Sequence, residues 1–165
     1  MAGKADFTPD EWKAVVASPM LAGMAVTLAE PSGLWGMMKE SFASGQALLE
    51  AKNNADASEL AKAIVADLET AEGRDVAREG LRSQVAGKSP PDAKQQILAA
   101  LAAVGKIVDA KSPGAAPAFK AWLISLSTKV AEASSEGGFL GFGGVQVSEA
   151  EKASLADIAK ALGGA

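Results

Sequence analysis

A chain of 165 residues is the usual size of one domain, long enough to withdraw roughly 70% of its unfolded surface from water. Hydrophobic residues make up 48% of it but aromatic residues only 5%, so a core has to be assembled from Ala, Leu, Val, Ile and Met on closely approaching backbones, which favours helices over sheet. With 16 basic against 20 acidic residues and a net charge of −4 there is no broad positive face for nucleic acid, and the absence of Cys, His and Tyr excludes disulfide, thiolate, imidazole and phenol chemistry.

The first helix start is specified several times over. Thr8-Pro9-Asp10-Glu11 is a capping box with proline at the first helical position, and Phe7 and Trp12 are spaced for a hydrophobic staple. Pro19 disfavours α geometry at the residue before it, so the helix is expected to stop near Ser18. A second helix, buried on every face, should then open at Pro19 through Met20, Leu21, Met24, Val26 and Leu28. Glu30-Pro31-Ser32-Gly33 breaks it, and a third runs to about Lys52 with Leu34, Met37, Met38, Phe42, Leu48 and Leu49 inward.

Asn53-Asn54-Ala55-Asp56 reads as a turn with a cap, followed by an amphipathic stripe at Leu60, Ile64 and Leu68. Gly73 is expected to end or interrupt that helix. A weaker one from about Arg74 to Val85 carries Gly80 in its interior, at a cost of about 1 kcal/mol relative to alanine. Gly87-Lys88-Ser89-Pro90-Pro91 is the clearest mid-chain break, and the helix it opens buries Ile97, Leu101, Val104 and Val108 before Ser112-Pro113-Gly114 closes it. The next places Phe119, Trp122, Leu123, Leu126 and Val130 on one face and ends near Ser134 or Ser135. After a glycine-rich loop, Ser148-Glu149-Ala150-Glu151 is a second capping box, with Leu155, Ile158 and Leu162 inward and Gly163 as the stop.

No window alternates with period two, and the linkers are short. The expectation is a single all-α domain over residues 1–165, a compact bundle of about six to seven helices. It carries a disordered tail over residues 1–6 and a Gly/Phe-rich loop over 136–147. The N-terminus has no apolar signal region, which makes a soluble, cytoplasmic protein the expectation.

Two helix exits echo each other. Val26 to Ala29 leads through Ser32 and Gly33 to Leu34-Trp35-Gly36, and Val130 to Ala133 leads through Ser135 and Gly137 to Phe139-Leu140-Gly141. A duplicated helical hairpin would explain the echo. The second exit continues Gly144-Val145-Gln146-Val147-Ser148, then Glu151, Leu155, Ile158-Ala159 and Leu162-Gly163. This string resembles the C-terminal half-motif of tellurite-resistance TerB-like proteins, small all-helical bacterial domains in which a glycine turn, a Val/Ile-Ser cap and a final amphipathic helix recur in each half. The resemblance covers the last third of the chain and, more faintly, residues 20 to 40. Those domains carry an Ala-Asp-Gly turn associated with divalent metal. Here Pro31-Ser32-Gly33 and Glu136-Gly137-Gly138 stand instead, so metal binding does not carry over and no cofactor is expected.

The segment Glu136 to Gly144 places Phe139, Leu140 and Phe142 among five glycines. Each glycine raises the entropy cost of ordering the chain, so these side chains need a dock. They can fold back to cap the bundle, or contact a protein partner, a second copy or a membrane surface, with Trp35 in the echoing turn extending the same apolar surface. A phosphate-cradling role is disfavoured, because no Gly-Lys-Ser/Thr follows and Glu149 and Glu151 would repel an anion.

Arg74, Arg78 and Arg82 are the only arginines, and their i, i+4, i+8 spacing suits bidentate capture of a small anion. Pairing with Asp75 and Glu79 on a solvated face is the alternative. Glu69, Glu72, Asp75 and Glu79 share helical spacing that would serve a hard cation, although the interleaved arginines relieve their repulsion equally well. Ser125 and Lys129 offer only a spacing for a Ser-Lys pair, and without His or Cys the usual acid–base and nucleophilic sets are missing. The composition therefore reads as noncatalytic.

Overall fold

The computed structural model describes residues 2–29, 52–53, 58–136 and 147–163, and among these residues the chain is all-α, with one 3-10 turn at Lys4–Asp6, six α-helices and no strand. The helices are α1 Pro9–Thr27, α2 Glu59–Leu68, α3 Ala71–Val85, α4 Pro90–Lys111, α5 Ala116–Glu136 and α6 Glu149–Ala161.

Capping chemistry starts α1 as its residues predict. The Thr8 hydroxyl accepts the Glu11 N–H at 3.3 Å, and the Glu11 carboxylate accepts the Thr8 N–H at 2.8 Å. The Phe7 and Trp12 rings lie 5.7 Å apart, which closes the staple. Within the segment expected to be a disordered tail, Lys4–Asp6 forms a 3-10 turn, with the Gly3 N–H donating to Asp6 Oδ2 at 2.9 Å.

The expected stop at Ser18 does not occur, and α1 continues through Pro19 to Thr27. Proline has no N–H for the carbonyl four residues back, that of Val15. The buried Ser18 hydroxyl donates to that carbonyl at 2.7 Å, so the group left over by the proline has a partner. Burial does the rest. Val15, Val16, Ala17, Leu21, Ala22, Ala25 and Val26 are all at most 3% exposed, and α1 packs against each of α2 to α6 as the central helix.

The corner between α2 and α3 shows what a glycine does there. The Thr70 hydroxyl donates to the Asp67 carbonyl at 2.6 Å and accepts the Gly73 N–H at 2.9 Å, so one side chain ends α2 and caps α3. Gly73 sits in the first turn of α3 rather than ending a helix, and a Cβ on it would lie 2.0 Å from the Asp67 carbonyl oxygen. Gly80 has a similar reason, since a Cβ there would meet the Ala17 Cβ at 2.6 Å. With Asp67 also bonded to Trp12 near the start of α1, α3 runs beside α1 in the same direction.

Ser89 caps α4, whose stripe Ile97, Leu101, Val104 and Val108 is at most 1% exposed. Its far end returns to the start of α1, where Lys111 approaches Glu11 at 3.5 Å. Lys120 then holds the start of α5 to Asp109 of α4 at 2.7 Å. Phe119, Leu123, Leu126 and Val130 of α5 are buried as the spacing predicts, while Trp122 is half-buried against the core, its ring 6.1 Å from that of Phe119. This helix continues to Glu136, a turn-initiating residue in the sequence reading. In α6 the Ser148–Glu151 box forms, Ile158 and Leu162 are buried, and Gly163 ends the helix with φ +84°.

Candidate functional site

Trp35, Phe139, Leu140 and Phe142 lie outside the described residues, as do the third expected helix up to residue 51 and most of the Asn53–Asp56 turn. The two echoing exits begin at Val26 and Val130, at 1% and 6% exposure, and both belong to the same core.

The described surface bears directly on what those segments can do. Among the described residues, every Val, Ile, Leu, Met, Phe and Trp is buried or only partly exposed, and the fully exposed apolar residues are alanines and prolines. Where charge meets charge on the surface, the pairs are local or cross short gaps, as with Lys152 and Glu149 at 2.8 Å or Lys94 and Asp157 at 3.1 Å.

The three arginines are placed differently from one another. Arg74 turns back onto the end of α2, its Nη1 donating to the Glu69 carbonyl at 2.7 Å and reaching the Leu68 carbonyl at 3.4 Å. A cation there satisfies carbonyls that the helix terminus leaves unpaired and complements its dipole. Arg78 approaches Asp75 at 3.5 Å on an exposed face, the local pairing that the spacing allowed. Arg82 is exposed in the last turn of α3. Arg74's role was hidden from sequence because its partners are backbone carbonyls of another helix.

Of the acidic residues beside them, Asp75 is the partner of Arg78, and Glu69 has a partner farther off in the chain. Glu69 accepts Lys52 Nζ at 2.8 and 3.1 Å. Among the described residues no group of three or more His, Cys, Asp or Glu side chains is arranged to hold a metal ion. Ser125 and Lys129 are both exposed on α5.

Two carboxyls are displaced from their ordinary range. The Thr8 backbone N–H holds Glu11 low against desolvation, the next largest effect, and the Thr8 hydroxyl and Lys111 add to the lowering. The hydrogen bond from Lys152, and then its charge, holds Glu149 low. Both shifts favour the ionised form and belong to capping and surface pairing.

One polar contact joins elements far apart in sequence. The Trp12 indole N–H donates to Asp67 Oδ2 at 2.7 Å in a half-buried setting, while Lys4 approaches the other carboxylate oxygen at 3.5 Å. The spacing in sequence gives Trp12 a staple partner in Phe7 but not this one on α2.

No family model, curated protein or solved structure matches the chain. Among the described residues, no helix is long and apolar enough to cross a membrane.

Proposed function

We propose that the chain is a noncatalytic helical interaction protein of the cytoplasm. It contacts a protein partner or a second copy of itself through the apolar, glycine-flanked residues Trp35, Phe139, Leu140 and Phe142. The observation that carries this reading is how little apolar side chain the described helices leave open: among the described residues no Val, Ile, Leu, Met, Phe or Trp is more than partly exposed, and the exposed apolar residues are alanines and prolines. Apolar recognition then falls to the two turns whose composition already marks them out. The lack of His, Cys and Tyr supports a binding role over a catalytic one. The TerB-like resemblance of the last third agrees with a small helical bacterial domain, and its acidic turn is not carried over.

Insertion of the same loop into a membrane surface is the competing outcome, and one experiment separates the two. Wild type and a Phe139→Ser/Phe142→Ser double variant are sedimented with anionic liposomes and, separately, weighed by light scattering over a range of concentrations. Self-contact gives no pelleting and a mass that rises with concentration in the wild type only. Pelleting that disappears in the double variant would overturn the protein-contact reading in favour of the membrane.

A further inference from the structure

We draw no further inference here: the strongest candidate, the partly exposed Met20, Met24 and Leu28 stripe along one side of α1, runs directly into residues outside the described part of the chain, and nothing in the structure shows what covers it.

Discussion

The Ser18 hydroxyl donates to the Val15 carbonyl at 2.7 Å inside the core, and that carbonyl is the one Pro19 leaves without an amide donor. An interior proline costs a helix about 3 kcal/mol, part of which reflects the carbonyl it orphans. An unpaired buried carbonyl costs about 1–3 kcal/mol. The serine immediately before the proline removes that part of the penalty, and the central helix runs on unbroken.

Ser18→Ala should therefore destabilise the protein by about 1–3 kcal/mol in urea unfolding. In a Pro19→Ala background the restored N–H supplies Val15, and the same serine change should cost less than half as much. A double-mutant cycle measures the coupling directly. Equal costs in both backgrounds would show that the hydroxyl does not stand in for the missing amide.

The close approaches at Gly73 and Gly80 make two graded predictions. Gly80→Ala gains about 1 kcal/mol of helix propensity but drives a methyl to 2.6 Å from the Ala17 Cβ, an overpacking that costs about 1–3 kcal/mol. The net effect should be destabilising and should be largely reversed by adding Ala17→Gly. Gly73→Ala meets a backbone oxygen at 2.0 Å, which no rotamer change relieves, so its loss should exceed that of Gly80→Ala and resist rescue. Thermal unfolding of the two single variants and the Ala17→Gly/Gly80→Ala double variant ranks them.

Asp67 separates a hydrogen bond from an ion pair. Asp67→Ala removes the acceptor of the Trp12 indole and should cost about 1.5–3 kcal/mol, the range for hydrogen bonds to charged groups. Lys4→Ala removes only an exposed cation at 3.5 Å and should cost no more than about 0.5 kcal/mol. Comparable losses in chemical denaturation would mean that the ion pair, not the indole, fastens α2 to α1.

The capping carboxylate of α1 predicts part of the acid response. Glu11 has a lower pKa folded than unfolded, chiefly through the Thr8 N–H, so the unfolded chain takes up more protons in acid and stability rises with pH there. The contribution is complete above the unfolded value and is lost as pH falls through the folded one. Urea midpoints measured from about pH 3 to about pH 6, across the carboxylate range, should rise less steeply for Glu11→Gln than for wild type. Parallel profiles would remove Glu11 from the account of acid unfolding.

Much of the fold was legible because it is written locally. The Thr8–Glu11 and Ser148–Glu151 boxes, the Ile97–Leu101–Val104–Val108 stripe and the Gly163 stop depend on residues within a turn or two of one another. Pro19 departs from the sequence expectation because the rule for the preceding residue is also local, whereas the burial that holds α1 together through the proline comes from five other helices. Gly73 and Gly80 look like breakers in sequence; only the facing Asp67 carbonyl and Ala17 methyl reveal them as contact points. Spacing groups Arg74 with two other arginines, yet its partners belong to the end of α2. Tertiary neighbours decide each of these cases, and a single sequence does not display them.

Hydroxyl-radical footprinting of the native protein tests the functional proposal most directly, with Phe119, at 0% exposure, as the buried standard on the same chain. Phe139 and Phe142 should oxidise many times faster than Phe119 at low protein concentration, and slow as self-contact or an added partner covers them. Oxidation of both at the rate of Phe119, whatever the concentration, would show that their rings are spent inside the bundle and that the chain has no apolar surface there to offer.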